Sequence, residues 1–286
     1  MKIALATAVA AFALDEDLPP LLDACRAAGL EAEALAWDDP TVSWRRFDAV
    51  LLRSTWNYIG CLPEFLAWCE RIELDGRLWN PPEVVRWNTD KRYLADLAAR
   101  GVAVVESHFL APGDAPDAFP DLAEFVVKPC VGAGSRDARR FLRADRAEAV
   151  EHARGLLDAG RHVLVQPYLA EVDTHGETAL IFFEGQFSHA IRKAPLLQRG
   201  EAPTSALFKP ESIQARQPSA EELALAERTL AALSFGPLPY ARVDLLPSPD
   251  GPRLLELELT EPSLFLPYAP GSADRLAQAL AGRLRG

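Results

Sequence analysis

Residues 124–136 read Glu-Phe-Val-Val-Lys-Pro-Cys-Val-Gly-Ala-Gly-Ser-Arg. An apolar run carries a single lysine, Lys128, and a small loop of Gly132, Ala133, Gly134 and Ser135 follows before Arg136. The run has the composition of a buried strand, and a lysine inside one is costly unless its charge meets a partner. Glycines directly after such a strand let backbone N–H groups approach an anion closely. The stretch therefore reads as a phosphate site, with the lysine on the phosphate and the loop folded over it. It also reads as a strand-end lysine reaching water beside an ordinary turn, so the surrounding chain has to decide.

Downstream, residues 162–169 form a second apolar strand, ending in Gln166, Pro167, Tyr168 and Leu169. A turn at 171–176 leads to a hairpin of 177–183 and 186–193 through Glu184-Gly185. Residues 194–218 contain prolines and show no period, and a loop of that length inside a domain is commonly functional. Ser219 caps a helix over 220–233, strands follow at 240–246 and 253–260, and a last helix covers 272–284.

Upstream, the pattern predicts a strand at 2–8, a helix at 18–28, strands at 31–37 and 47–53, and a helix at 63–73 with proline in its first turn. The apolar run 3–14, with its Ala-x-Ala, has a signal peptide as its alternative reading, which the single lysine before it disfavours. Prolines make a break at 78–82, Asn88-Thr89-Asp90 caps a helix at 91–100, and a strand at 102–110 ends in a loop, 111–120, that marks a subdomain boundary. Beyond the Lys128 strand come residues 139–142 and a helix at 146–159. Strands alternating with helices imply a parallel sheet with crossover connections. Ligands on such sheets sit beyond the carboxyl ends of the strands. Arg53 and the loop carrying Trp56 and Tyr58 are thereby placed at a binding edge, unless that loop merely packs its aromatics.

Composition narrows the class. A chain of 286 residues, 49% apolar and 25% charged, is long enough for two or three packed units of a soluble globular protein. The net charge of −11 argues against a nucleic-acid surface. The four cysteines lack CxxC spacing and the five histidines make no HExxH, so reduced thiols, no zinc and a cytoplasmic setting are expected. No stretch is long enough for a transmembrane helix.

The sharpest chemical signal lies near the C-terminus. Arg242 and Asp244 are two apart and share one strand face; Glu256, Glu258 and Thr260 share another, with Leu255, Leu257 and Leu259 opposite. Residues two apart on a strand lie about 6.6 Å from each other, so carboxylates from neighbouring strands can converge on one or two metal ions. Magnesium takes one or two carboxylates together with phosphate oxygens and water. The alternative, a solvated strand face, fits poorly with acidic residues, which are weak strand formers and would repel one another there.

In order and spacing, Lys91, the Lys128 strand and its glycine loop, the strand at 163–169, Arg242-Val-Asp244 and Glu256-Leu-Glu258 resemble the ATP-grasp superfamily. The likeness is to its glutathione synthetase and D-alanine–D-alanine ligase branch, over residues from about 85 to 270 and more loosely the N-terminal sheet. More narrowly, Trp87-Asn-Thr-Asp-Lys91, His189-Ala190 and Glu256-Leu-Glu-Leu-Thr-Glu-Pro-Ser-Leu-Phe265 look like the subgroup containing the D-cycloserine biosynthetic ligase.

The resemblance implies an α/β architecture: an N-terminal parallel-sheet domain (1–88), a central subdomain with a glycine-rich lid (89–170) and a C-terminal antiparallel-sheet subdomain (171–286) that together enclose ATP. It implies that Lys91 and Lys128 hold ATP phosphates under the loop of Gly132, Ala133, Gly134 and Ser135. Gln166, Pro167, Tyr168 and Leu169 would line the adenine pocket, with Glu171 on the ribose. Asp244, Glu256 and Glu258 would bind Mg2+, and Arg242 would stabilise phosphate and oxyanion charge. Glu258 stands where the D-alanine ligases place asparagine, a departure that points away from a D-alanine substrate.

The implied reaction is ligation of a small carboxylate, activated as an acyl phosphate, to an amine, in linear or cyclising form. A non-catalytic ATP-binding regulator and a phosphotransferase that stops at the phosphorylated product are the alternatives. Candidate substrate contacts are Arg53, Trp56, Tyr58, Arg192 and Lys193. His189 can serve as a base or as a structural residue, and no general base is evident. The expected partners are small carboxylate and amine substrates, with no nucleic acid or membrane; a dimer is compatible with the sequence, which does not fix the oligomeric state. A P-loop, GxxxxGK[ST], is absent.

Overall fold

The computed structural model describes residues 1–197 and 212–285. At the N-terminus the alternation of strand and helix produces β1 (Lys2–Thr7), α1 (Leu18–Ala27), β2 (Glu31–Ala36), β3 (Ala49–Leu52) and α2 (Leu62–Glu73). The strands pair in parallel in the order β2-β1-β3. Alternate residues of β1 serve opposite faces: Ile3 and Leu5 join the core with Leu21 of α1, while Ala4 and Ala6 join Phe65 and Trp68 of α2.

The proline-rich stretch read as a break instead opens a helix. α3 (Pro82–Asn88) begins on Pro82, where a missing N–H costs nothing, and α4 (Tyr93–Ala99) follows. Of the residues expected to cap it, Asp90 accepts from the Arg92 backbone N–H at 3.0 Å, while Asn88 turns its amide elsewhere. Next come β4 (His108–Leu110), β5 (Glu124–Pro129), β6 (Arg139–Leu142), α5 (Arg146–Asp158) and β7 (Val163–Pro167). They form an antiparallel sheet, β4-β7-β5-β6, against which α5 packs Ala149 and Ala153 on Phe125 and Val127. The expected strand at 102–110 is regular only over β4; upstream of it Val104 makes an isolated parallel bridge to Leu254.

The remainder is α6 (Val172–His175), a single turn, then β8 (Glu177–Phe183), β9 (Gln186–Lys193), β10 (Ile213–Arg216), α7 (Ala220–Ala231), β11 (Tyr240–Leu246), β12 (Arg253–Glu258) and α8 (Ser272–Arg285). The five strands run β10-β9-β8-β11-β12, all antiparallel. β10 interrupts the stretch read as irregular; of that stretch, residues 198–211 lie outside the described residues. Ser219 caps α7 as expected, in a reciprocal box with Glu222. One face of the sheet packs Ile181 and Ile191 against Leu276 and Leu280 of α8, the other packs Leu180, Phe182 and Val243 against Leu94 and Leu225. No helix among the described residues is long and apolar enough to cross a membrane.

β12 is an edge strand, and its open side is covered by side chains and, at Leu254, by an isolated backbone bridge. Asn88 donates to the Leu257 carbonyl at 2.7 Å and accepts from the Leu259 N–H at 2.7 Å. The Tyr93 hydroxyl accepts from the Leu257 N–H at 2.8 Å. Beyond them, Leu254 donates to Ala103 and accepts from Val105. These contacts fix the roll of β12, and the roll decides which way Glu256 and Glu258 point. Asn88→Ala would leave a carbonyl and an N–H of β12 buried and unpaired, at a cost of about 2–6 kcal/mol. Denaturant unfolding checks this; a loss below about 0.5 kcal/mol, the level of an ordinary surface change, would contradict it.

Candidate active site

The two antiparallel sheets and the loops after β1 and β3 surround a cleft of about 370 Å³. Its floor is the polar end of β11 and β12. Antiparallel pairing sets Arg242 opposite Glu258 and Asp244 opposite Glu256, so all four side chains share one face. Arg242 donates to Asp244 through Nε at 2.8 Å and Nη2 at 2.9 Å, and also to Glu258. Lys193 at the end of β9 bridges Asp244 at 2.8 Å and Glu177 at 2.6 Å. Lys91 pairs with Glu256 at 2.7 Å and donates to the Gly132 carbonyl at 2.8 Å, which ties the floor to the glycine loop.

Charge balance sets the protonation of this floor. Burial would raise Asp244, but Arg242 and Lys193 outweigh it and hold the carboxyl well below the usual range. Burial likewise acts to raise Glu256, and Lys91 with Lys128 offsets it, leaving the carboxyl lowered. Glu258 is the exception: burial raises it, and Glu256 and Asp244 add to the rise against the opposing Arg242. The Glu258 side of the floor is therefore short of positive charge.

Lys128 reaches into the cleft from β5 with no ion pair among the described residues. Burial pushes its ammonium down to about 8, with Glu256 opposing and Lys91 adding to the shift. The loop beyond β5 lines the cleft with Gly132, Ala133, Gly134 and Ser135. Its backbone is left-handed at Gly134 (φ 60°), Ser135 (φ 58°) and Asp137 (φ 60°), a conformation that costs energy for the two residues with a Cβ. Asp137 is held from behind by Arg161 at 2.6 Å and by His152 on its carbonyl at 2.9 Å.

The opposite end of the cleft is apolar. Pro167, Tyr168 and Leu169 line it, and Tyr168 carries the Arg140 guanidinium 3.3 Å over its ring. Gln166 also lines it, with its side-chain amide donating to Ser107. Leu255 departs from the strict alternation expected of β12. A bulge opposite Asp244 and Leu245 lets Leu254 enter the core with Leu257, while Leu255 packs with Tyr168 and Leu169 at the cleft.

Several expected contacts are corrected. Arg53 is fully buried and does not line the cleft: its Nη2 donates to the Pro262 carbonyl at 2.9 Å and pairs with Asp17 at 3.4 Å, and its guanidinium lies 5.2 Å from the Tyr240 ring centre. Arg53 thus fastens the strand end to the 262 segment instead of meeting a ligand. Arg192 faces away, donating to the Thr174 and His175 carbonyls, because adjacent strand residues face opposite sides and Lys193 takes the cleft. Glu171 precedes α6 and lies off the cleft wall. His189 also lies off the wall, its Nε2 2.8 Å from the Leu264 carbonyl, and burial pushes it down to about 4. It is a neutral structural histidine at pH 7. Trp56 and Tyr58 do line the cleft.

Sequence reasoning missed Glu261 and Asp17. Glu261 lines the cleft, buried, on the same wall as Tyr58, and the Trp56 indole N–H donates to its backbone carbonyl. Asp17 accepts from the Leu264 N–H at 2.6 Å and the Leu266 N–H at 2.7 Å, clamping Phe265 in a left-handed conformation (φ 53°) on the wall. Neither signal is local: Glu261 follows a strand already read as ending at Thr260, and Asp17 meets partners far along the chain.

The donor set can be judged for magnesium. Asp244, Glu256 and Glu258 offer the hard oxygens that suit it, and the charge deficit at Glu258 is one a cation would relieve. Among the described residues no three acidic, histidine or cysteine side chains already stand in ligand geometry, since Arg242, Lys193 and Lys91 hold the carboxylates.

Comparison with known proteins adds to this geometry. A family profile described as the N-terminal domain of D-cycloserine synthetase DcsG matches residues 3–80. The cycloserine biosynthesis protein DcsG of Streptomyces lavendulae is 45% identical over 299 aligned positions, covering 99% of each chain. A crystal structure of D-cycloserine synthetase DcsG superposes with a TM-score of 0.91 at 44% identity, covering 99% of this chain and 100% of that one. The ATP-grasp ligase PsnB, solved with a precursor variant, Mg and ADP, shares the fold at a TM-score of 0.65 and 21% identity, over 99% of this chain and 98% of its own.

A phosphate held by Lys128 favours its charged form, and the free ammonium is lost as pH rises through about 8. ATP affinity should therefore weaken above that pH. Lys128→Ala should weaken it by about 2–5 kcal/mol below that pH and flatten the pH dependence. Calorimetry on the folded variant tests both, and unchanged affinity would remove Lys128 from the phosphate site.

Proposed function

The chain belongs to the family of the D-cycloserine synthetase DcsG, within the ATP-grasp carbon–nitrogen ligases, and from that premise we propose that it closes the ring of D-cycloserine. The ring of that compound contains an amide whose nitrogen is bonded to oxygen. Opening the amide gives O-amino-D-serine, so the substrate of this reading carries the carboxylate and the nucleophile in one molecule.

A carboxylate does not condense with an amine in neutral water, because oxide would have to leave. Transfer of the ATP γ-phosphoryl group to the carboxylate gives an acyl phosphate, whose leaving group is phosphate. The protein's part is then to position reactants and neutralise charge. Lys91 and Lys128 would hold the ATP phosphates, the Gly132–Ser135 loop would cover them, and Arg242 would meet the charge developing on the acyl oxygen. Asp244, Glu256 and Glu258 would hold magnesium, which when bound draws negative charge off the phosphates. Tyr168, Leu169 and Leu255 would take the adenine, and Trp56 and Tyr58 would face the amino acid.

The observation that carries this reading is the meeting, in one cleft, of Lys91, Lys128 and Arg242 with Asp244, Glu256 and Glu258 beside a glycine loop. An inert ATP-binding regulator would have no need to keep so many charges out of water, where each is costly without function or pairing. Incubation with ATP, magnesium and O-amino-D-serine tests it. D-cycloserine and ADP should appear in equal amounts. ADP with a phosphorylated amino acid and no ring would show a phosphotransferase, and ATP binding without ADP would show a regulator.

A further inference from the structure

Ring closure needs a proton acceptor, and His189 is neither on the cleft wall nor basic enough to be one at acid to neutral pH. Glu177, Asp244, Glu256 and Glu258 line the cleft but are each ion-paired with lysine or arginine. Such pairing favours the charged carboxylate at Asp244 and Glu256 and makes each a poor base; Glu258, whose carboxyl is raised by burial and by its acidic neighbours, is held by Arg242 and assigned to magnesium. Glu261 differs. It is buried in the wall, has no ion pair among the described residues, and shares that wall with Tyr58, which acts to lower its pKa. Its backbone carbonyl is held by the Trp56 indole N–H at 3.0 Å, so the segment that carries it is fastened to the aromatic loop.

The geometry points to Glu261 as the general base of the carbon–nitrogen bond-forming step, with Tyr58 as its positioning residue. This rests on the ligase reading above and adds the proton's destination. Glu261 lines the same cleft as Lys91, Arg242 and Glu256, the groups assigned to the phosphoryl end, and their charges act on its carboxyl. The aminooxy nitrogen gives its lone pair to the acyl carbon, the bond from that carbon to the phosphate oxygen breaks, and phosphate leaves with that electron pair. The proton lost by nitrogen passes to the Glu261 carboxylate and afterwards to solvent. An aminooxy nitrogen is a weak base and is already neutral at pH 7, so the base is needed after attack, when nitrogen becomes strongly acidic.

The surroundings suit that task. Burial pushes the Glu261 carboxyl up to about 7, against the lowering effects of Tyr58, Lys91 and Arg242 and with a further raising effect from Glu256. The Cys69 thiol and the Tyr240 phenol also feel this carboxylate from behind. A base with a pKa near the working pH is the efficient one.

Glu261→Gln preserves shape and removes the proton acceptor. With ATP, magnesium and O-amino-D-serine, ring formation by the variant should fall about 100-fold or more. Acyl phosphate formation, read by hydroxylamine trapping and by ADP release, should fall far less, so that ADP outruns ring product. The acid limb near pH 7 in wild-type kcat should vanish in the variant. Equal loss of ring product and trapped acyl phosphate, or an acid limb that persists, would overturn the assignment. Should Glu261→Gln fail to fold, Tyr58→Phe decides: losing a hydroxyl that lowers the Glu261 pKa should move the acid limb to higher pH, and an unmoved limb would overturn the assignment. Wild-type protein that releases no ADP would refute the ligase reading, and this one with it, whereas wild-type turnover with an unaltered variant refutes this one alone.

Discussion

Arg242 and Asp244 stand two residues apart on one face of β11, both buried, and the pairing between them is what makes either tolerable. Removing one partner of such a pair leaves an uncompensated charge, at a cost of about 3–5 kcal/mol. The rest of the cleft extends this lattice outward. Lys193 joins Asp244 to Glu177 on β8, Arg242 joins Asp244 to Glu258 on β12, and Lys91 joins Glu256 to the glycine loop. Hydrophobic residues of similar volume would be as stable or more so in many such sites. The lattice is better understood as preorganised charge for a polyanionic ligand than as a stabilising device.

Preorganisation depends on elements away from the chemistry. β12 can present Glu256 and Glu258 only if its roll is fixed, and its free edge is held by Asn88, Tyr93 and the Ala103–Val105 backbone. Asp17 and Arg53 do the same for the segment after β12, the first by clamping Phe265 between two backbone N–H bonds, the second through Pro262. The N-terminal sheet is thus joined to the cleft through buried polar groups, and α8 returns along the chain to pack on the same side as α1.

The legible parts of the sequence were those with a short period. The hairpin of β8 and β9, the Arg-x-Asp of β11 and the Glu-x-Glu of β12 follow directly from strand alternation, and the residues they bring together are adjacent in register. The glycine loop was legible because its residues have few other uses after a buried strand. What escaped depended on distant partners. Asn88 looked like a helix cap because a cap needs only local groups, whereas its amide serves a strand far along the chain. Arg53 looked like a ligand contact because it ends a strand, yet its side chain turns inward to Asp17. The α3 prolines were read as a break, since composition does not distinguish a proline that ends a helix from one that begins it. The bulge at Leu255 inserts one residue into an otherwise regular alternation, and only pairing reveals it.

The central claim is that this cleft activates a carboxylate by phosphorylating it. Substrate labelled with oxygen-18 in the carboxylate reads that step directly, because the oxygen that bridges carbon and phosphorus departs with phosphate. The account predicts that each ring closed delivers one labelled oxygen to the phosphate released, observed by mass spectrometry or phosphorus NMR. Phosphate that forms alongside the ring without carrying the label would contradict it.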